Sequence, residues 1–70
     1  MNIMKTYLHS KWTSVQELHG WRHYEVKNVF INKRKLELFS VCQKNVHIIV
    51  LIDDIKNKKK WIPGWKEIVI

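Results

Sequence analysis

One segment near the C-terminal end of the chain concentrates aromatic rings, turn residues and positive charge: Lys58-Lys59-Lys60-Trp61-Ile62-Pro63-Gly64-Trp65-Lys66. It contains two of the four tryptophans, the only proline and one of the two glycines. Proline presets φ and glycine accepts positive φ, so the Pro63-Gly64 pair predicts a turn. Such a turn would bring Trp61 and Trp65 against one another or against the same surface. We therefore interpret residues 61–65 as a tryptophan clip that closes a small β-domain.

The length and composition of the chain limit it to one small domain. A chain of 70 residues buries only about 60% of its unfolded surface, so its stability is marginal. Cys42 is the only cysteine and cannot form an internal disulfide, which favours a reducing, cytoplasmic compartment. Four tryptophans, two tyrosines and two phenylalanines can each bury about 150–250 Å². We expect a single domain over residues 1–70, with residues 1–8 frayed apart from docking of Tyr7 and Leu8.

Short runs of alternating or wholly apolar residues predict β-strands. The predicted strands are residues 11–15, 23–31, 35–42 and 46–52, and residues 67–70 are left open between a fifth strand and an irregular end. Residues 32–35 and 43–45 are short polar loops, and residues 16–22 form a longer connection hinged at Gly20. The chain is therefore predicted to be all-β: a small antiparallel meander of four to five strands, curled into a half-open barrel and closed by the tryptophan clip.

The second and fourth strands carry further structural information. Tyr24 and Val26 alternate, and so do Val29 and Ile31, but the two sets are out of phase by one residue. A β-bulge near residues 27–28 would restore a single inward face. The fourth strand is apolar on both faces, which predicts that its second face is covered. The tryptophan clip is the nearest candidate for that cover.

Motifs near the two ends of the chain are similar to those of a known family. They are Ser10-Lys11-Trp12-Thr13, His23-Tyr24-Glu25-Val26 and Trp61-Ile62-Pro63-Gly64-Trp65-Lys66. The pattern resembles the short tryptophan-rich bacterial proteins of unknown function, and it covers residues 9–66, nearly the whole chain. Relatives tend to carry extra aromatic residues in the fourth strand, where this chain has Ile49 and Ile52. The resemblance implies a bacterial cytosolic protein and gives no activity.

Positive charge is concentrated in the second half of the chain. The net charge is +7, and residues 32–70 carry nine Lys or Arg against four Asp or Glu. This balance favours anionic partners, chiefly nucleic acid. Lysines can contact phosphates while bases stack on tryptophan, each stacked base contributing about 1–3 kcal/mol. The candidate nucleic-acid-binding residues are Lys11, Trp21, Arg22, Lys58, Lys59, Lys60, Trp61, Trp65 and Lys66, with Trp61 or Trp65 stacking.

The same residues also have a purely structural interpretation. Trp61 and Trp65 can both be core residues that cover the fourth strand, because a small domain needs their area. A further alternative, in which one ring is buried and the other is half exposed, is compatible with both interpretations. Trp12 lies in a predicted strand and is expected in the core, whereas Trp21 lies in a predicted loop and is expected to be the most exposed tryptophan. The lysines of residues 56–60 can simply form a solvated loop.

Metal binding and membrane insertion are poorly supported by the sequence. His19 and His23 are four residues apart, but Gly20 interrupts any helix there, and no cysteine or carboxylate cluster completes a ligand set. The longest uncharged apolar run, residues 48–52, is far shorter than a membrane span. We predict no metal site, no cofactor and no association with membranes.

Catalysis is equally weakly supported. Asp53 and Asp54 are adjacent in sequence, and such residues more often cap a turn than form a catalytic pair. Cys42 is in phase with Leu36 and Leu38, which predicts a small core residue rather than a nucleophile. The sequence therefore predicts that the protein is not an enzyme.

The sequence favours a protein that acts by binding. The leading hypothesis is a small basic module that binds RNA or single-stranded DNA non-specifically. The alternative is a protein-interaction module, in which the fourth strand or an aromatic patch meets a partner or a second copy; the chain is expected to be a monomer or weak homodimer. Exposed tryptophans beside lysines would favour nucleic acid, and an exposed aliphatic patch around Ile49 and Leu51 would favour protein.

Overall fold

A single antiparallel sheet organises the computed structural model, which describes residues 6–67. Its elements are β1 (Lys11–Leu18), β2 (Trp21–Phe30), a 3-10 turn (Ile31–Lys33), β3 (Lys35–Ser40), β4 (His47–Leu51), the one-turn helix α1 (Ile52–Ile55) and β5 (Trp61–Pro63). The strand order across the sheet is β4-β3-β2-β1-β5, and all pairings are antiparallel. The sheet curls so that β1 and β4 line a common groove. The predicted all-β meander in a half-open barrel is confirmed.

The first hairpin has a much tighter turn than the sequence suggested. His19 and Gly20 both have positive φ, 52° and 85°, as in the two-residue turns whose twist matches the flanking strands. The predicted connection over residues 16–22 is therefore wrong. Gln16 and Glu17 are exposed strand residues of β1. The register of β1 with β2 shifts between Thr13 and Leu18, so this part of the strand lacks the regular alternation that predicts a strand from sequence.

The predicted bulge in β2 is confirmed. Val26 pairs with Leu38 and Asn28 with Glu37, so Lys27 is the extra residue. The bulge returns the side chain of Val29 to the buried face of the sheet, because one inserted residue reverses the alternation of side chains.

The core lies on the concave face of the sheet. Tyr24 is fully buried, and its ring meets that of Trp61 edge to face at 5.9 Å between centroids. The Tyr24 hydroxyl donates to Leu18 O (2.7 Å), and burial raises the pKa of this phenol. The predicted inward phase of β3 is confirmed by the burial of its alternate residues. The buried apolar residues are Tyr24, Val26, Leu36, Leu38, Val50, Ile52, Ile55 and Trp61.

Two predictions about side chains after β3 and β4 are wrong. Cys42 is exposed rather than buried, because β3 ends at Ser40, whose Oγ accepts hydrogen bonds from the backbone N–H groups of Cys42 (3.3 Å) and Gln43 (3.2 Å). Asp53 and Asp54 do not cap a turn. They lie inside the first turn of α1, whose N-cap makes no side-chain hydrogen bond.

The outer face of β4 is uncovered, so the prediction that the tryptophan clip covers it is wrong. Ile49 and Leu51 are 56% and 46% exposed. The reason is the strand order, which places β5 beside β1 at the opposite edge of the sheet. Trp61 joins the core on the inner side instead, in the same cluster as Val50.

Of the two N-terminal residues expected to pack against the rest of the domain, one does so. Tyr7 stacks on Trp12 with 6.0 Å between ring centroids, while Leu8 is 43% exposed. The rest of the predicted frayed end, residues 1–5, and most of the predicted fifth strand, residues 68–70, lie outside the described residues.

Candidate nucleic-acid interface

The two tryptophans of the clip lie on opposite faces of the sheet. β5 runs along β1, with Trp61 opposite Ser14 and Pro63 opposite Trp12. Gly64, at φ 81°, then turns the chain to the outer face. Trp61 is 4% exposed and Trp65 is 43% exposed. The prediction that both rings share one surface is therefore wrong, because the turn carries the chain around the edge strand.

Trp65 is held on the outer face by contacts to β1 and β2. Its Nε1–H donates to Tyr24 O at 3.0 Å, and the ammonium of Lys11 lies 4.9 Å from the ring centroid. Lys66 follows directly, and its carbonyl accepts from His23 Nε2 at 3.0 Å. We call Lys11, His23, Trp65 and Lys66 the Trp65 ledge. It combines an exposed ring with two cations. Its ring, Trp65, and its cations, Lys11 and Lys66, are all among the candidate residues predicted from the sequence.

Thr13 fixes the backbone beneath this ledge. Its side chain is fully buried, and its hydroxyl donates to Gly64 O at 2.7 Å. The same oxygen accepts from the N–H of Lys66 at 2.8 Å. The turn after β5 is thus closed on itself through a β1 side chain, which orders the backbone on both sides of Trp65.

Asn57 organises the lysine-rich turn before β5. Its Oδ1 accepts from the N–H of Lys59 at 3.0 Å, and its carbonyl accepts from the N–H of Lys60 at 2.9 Å. Lys60 also pairs with Asp54 at 3.2 Å, whereas Lys58 and Lys59 form no ion pair within residues 6–67. The turn therefore presents Lys58 and Lys59 to solvent as uncompensated cations.

A pocket of about 310 Å³ lies on the inner side of β5. Its walls are almost entirely apolar, and lysine side chains border it. Trp12 is not among the candidate residues predicted from the sequence, because its proximity to the lysine-rich run of residues 56–60 depends on the pairing of β1 with β5. The lining residues are Trp12, Ile55, Lys56, Lys58, Trp61, Ile62 and Pro63.

Trp21 and Arg22 lie at the other end of β1, away from the ledge, where Trp21 pairs with Leu18. Trp21 is 37% exposed, less than Trp65, so the prediction that it is the most exposed tryptophan is wrong. The Arg22 guanidinium donates to Ser14 O (3.3 Å) and to Val15 O. It supports β1 where the register with β2 shifts, so much of its donor capacity is already used within the fold.

Two further findings concern metal ligands and long apolar helices among the described residues. No group of three or more His, Cys, Asp or Glu side chains within residues 6–67 is placed to hold a metal ion. In the same part of the chain, no helix has the length and hydropathy that a membrane span requires.

Comparisons with known proteins identify the family of the chain. Neither the curated proteins nor the solved structures contain a significant match. A family model described as tryptophan-rich protein (DUF2389) matches residues 10–66, a span that includes both the Trp12 and the Trp65 motifs. The chain is therefore a member of the DUF2389 family of tryptophan-rich proteins, whose function is unknown.

Proposed function

We propose that this protein binds single-stranded nucleic acid, RNA or single-stranded DNA, without sequence preference, along the β5 edge of its sheet. The observation that carries the proposal is Trp65, an ordered and 43% exposed ring with the Lys11 ammonium 4.9 Å from its centroid and Lys66 next in sequence. Proteins that bind single strands non-specifically combine aromatic platforms for bases with cations that follow the phosphates.

The ordering of Trp65 supports its role as the stacking ring. The hydrogen bond from Nε1 to Tyr24 O fixes one edge of the indole against β2, so little conformational freedom remains to be lost when a base stacks on it. Trp61 is not suited to this role, because it is 4% exposed and belongs to the core.

The lysine-rich turn extends the basic surface along the same edge. The three residues of β5 span about 10 Å, and they separate the Trp65 ledge from Lys58, Lys59 and the inner pocket. A strand of a few nucleotides therefore contacts both sides of β5. One base lies on Trp65, phosphates meet the lysines, and the apolar pocket beside Trp12 accepts a second base.

The second candidate function is protein interaction. It is favoured by a separate observation, the exposure of Ile49 and Leu51 on β4. This surface lies at the other edge of the sheet and carries no charged residue within β4, so it does not suit a polyanion. The two candidates use different residues and can be tested independently.

The first test replaces Trp65 by alanine and measures fluorescence anisotropy of a labelled single-stranded oligonucleotide. Loss of about 1–3 kcal/mol of stacking corresponds to an affinity lower by about 5- to 150-fold. Trp21→Ala is the matched control, because that ring is similarly exposed (37%) but lies at the far end of β1. Equal losses in the two variants, or no binding by the unmodified protein at low salt, would contradict the proposal.

The second test concerns the charge of the lysine-rich turn. Changing Lys58, Lys59 and Lys60 together to glutamine is expected to weaken binding and to flatten its salt dependence by about 0.7 in log–log slope for each phosphate that is no longer neutralised. A triple variant with Lys27, Lys33 and Lys44 changed to glutamine has the same net charge and is the control. All six lysines are exposed, so both variants are expected to fold. A slope that is unchanged, or that flattens equally in both variants, would show that binding does not use this turn.

A further inference from the structure

β4 presents an unpaired backbone edge. It is the terminal strand of the sheet, and within residues 6–67 its only strand partner is β3. The N–H of Ser40 donates to Val46 O (2.9 Å) and the N–H of Ile52 donates to Arg34 O (3.0 Å). Because hydrogen-bonding direction alternates along an antiparallel strand, Ile48 also points its backbone groups at β3. The intervening residues, His47, Ile49 and Leu51, direct theirs to the free edge.

This edge lacks the features that usually prevent an exposed edge strand from pairing with another strand. β4 contains no charged residue and no proline, and its ladder with β3 runs without a bulge. Proteins usually protect an edge with lysine, proline, a bulge or a very short strand. The outward side chains add to the exposure, since Ile49 and Leu51 are 56% and 46% accessible.

We propose that β4 pairs antiparallel with β4 of a second copy of this chain, about a twofold axis at Ile49. In this register Ile49 faces Ile49 of the partner subunit, and His47 faces Leu51 of the partner subunit. These are the residues whose backbone groups point to the free edge, so each opposed pair exchanges both hydrogen bonds. Two sheets then continue into one another through a self-complementary, isologous contact.

Charge and side-chain chemistry favour a second copy over another occupant. Lys44 precedes β4, and Asp53 and Asp54 follow it. Antiparallel self-pairing therefore brings the basic end of one strand beside the acidic end of the other, with only uncharged residues and His47 between them. Opposed isoleucines on one face of a ladder also stabilise the pairing.

The neighbouring surface continues the contact. Phe30, Lys35 and Leu51 lie in one row across the outer face, and Phe30 is 38% exposed. On the inner side, a groove of about 510 Å³ lies between the Ile49–Val50 part of β4 and Leu18 of β1, and Lys59 and Lys60 also line it. A partner strand paired with β4 covers the mouth of this groove along the β4 side.

The inference deepens the second candidate function above, and it does not depend on nucleic-acid binding. The two also respond oppositely to salt. Each copy carries a net charge of +7, so screening of like charges strengthens self-association, whereas added salt weakens nucleic-acid binding. Either activity can therefore fail while the other persists.

The test is the molar mass of the protein by sedimentation equilibrium over a concentration series up to millimolar. The unmodified chain is expected to shift from monomer to dimer. Ile49→Lys is expected to weaken the dimer at least about tenfold, because it opposes two like charges at the twofold axis. Leu8→Lys is the matched control, since Leu8 is 43% exposed and its neighbours His9 and Ser10 hydrogen-bond to Val26 of β2, not to β4; its dimer should match that of the unmodified protein. A monomer at every concentration would overturn the proposal, and so would an unaffected dimer in Ile49→Lys.

A second measurement reports the register directly. Ile49→Cys, combined with Cys42→Ser, places one thiol at the twofold axis, where opposed Cα atoms lie about 5.5 Å apart, within the range of about 4.4–6.8 Å that a disulfide needs. Mild oxidation is expected to give a covalent dimer in this variant and not in Leu8→Cys with Cys42→Ser. Equal cross-linking of the two variants would overturn the register. Loss of the dimer in Phe30→Lys but not in Ile49→Lys would instead show that the outer faces pack together.

Discussion

The two edges of this sheet are built in opposite ways. At one edge, β5 has three residues, contains Pro63 and is bounded by lysines and by the Gly64 turn. At the other edge, β4 has five residues in an unbroken ladder with β3, and none of them is charged when His47 is neutral. Short strands, proline and lysine block further strand pairing. The first edge is therefore closed to another strand, while the second remains open to one.

The difference shows how a half-open barrel divides its surface. A small sheet that does not close must leave two edges. Here the protected edge gathers the basic side chains and the exposed Trp65, which suit a polyanion. The unprotected edge gathers Ile49 and Leu51, which suit an apolar strand. The two proposals above follow from this division, and three predictions test what holds each edge.

The largest expected effect distinguishes the two tryptophans of the β5 edge. Trp61→Ala should cost about 3–5 kcal/mol, as expected for a buried aromatic residue, and a domain with a total stability of about 5 kcal/mol would then be largely unfolded. Trp65→Ala removes an exposed ring with one hydrogen bond and should cost about 0.5–1.5 kcal/mol. Urea denaturation followed by circular dichroism measures both. Similar losses of stability in the two variants would show that Trp61 and Trp65 do not differ in their contribution to the fold.

An intermediate effect is expected at the turn that carries the chain around β5. An added Cβ at Gly64 would meet nothing closer than Lys66 Cε at 4.0 Å, so Gly64→Ala costs backbone energy alone, about 1–2 kcal/mol at φ 81°. Gly20→Ala has the same backbone problem at φ 85° and open space around the Cβ. Both variants should lose similar stability in urea denaturation, but only Gly64→Ala should weaken oligonucleotide binding. Loss of binding in both would show that Trp65 is not positioned by its own turn.

The smallest expected effect is on the pH dependence of folding stability, through a carboxyl group of β3 that contacts β4. The hydrogen bond from Asn28 Nδ2 (2.7 Å), with a further one from His47 Nδ1 (3.3 Å), lowers the pKa of Glu37 from its ordinary value of 4.5. A carboxyl group with a lower pKa in the folded state stabilises the fold above its unfolded pKa, and this contribution is lost as the pH falls through the folded pKa.

Glu37→Gln should therefore remove part of the acid sensitivity of the fold. The melting temperature of the unmodified protein should fall slightly more than that of the variant when the pH is lowered from neutral to below 4.5. Glu25→Gln is the control, because Glu25 lies on the same outer face in β2. If the melting temperatures of Glu37→Gln and the unmodified protein change with pH in parallel, these hydrogen bonds do not contribute to the pH dependence of stability.

Local sequence patterns determined the inward face of β3 and the position of the bulge in β2. The alternation of Leu36, Leu38 and Ser40 fixed the inward face of β3, and all three are buried. The phase change between Val26 and Val29 located the bulge at Lys27. These predictions succeed because successive side chains of a strand point to opposite faces, so the period is written in neighbouring residues.

The candidate site was predicted only in part, because its residues are distant in sequence. Lys11, Trp65 and Lys66 come together as one ledge, but the pocket between Trp12 and Lys58 was not predicted. Trp61 and Trp65 are the same residue type four positions apart, and nothing local indicates which one is buried.

The positions of β5 and of Trp61 and Trp65 depend on contacts between residues distant in sequence, which a local pattern of side chains does not reveal. β5 pairs with β1 across some fifty residues of chain, as in the hydrogen bond from Thr13 to Gly64. This pairing, together with the turn at Gly64, places Trp61 in the core and Trp65 on the outer face. It also leaves Ile49 exposed, because the segment expected to cover β4 lies at the other edge. The sequence by itself determined the central parts of β1 to β4 and the inward face of β3, since these depend on neighbours along the chain. Only the folded sheet decided that β5 lies beside β1, at the edge opposite β4, since that depends on the free energy of packing distant segments together.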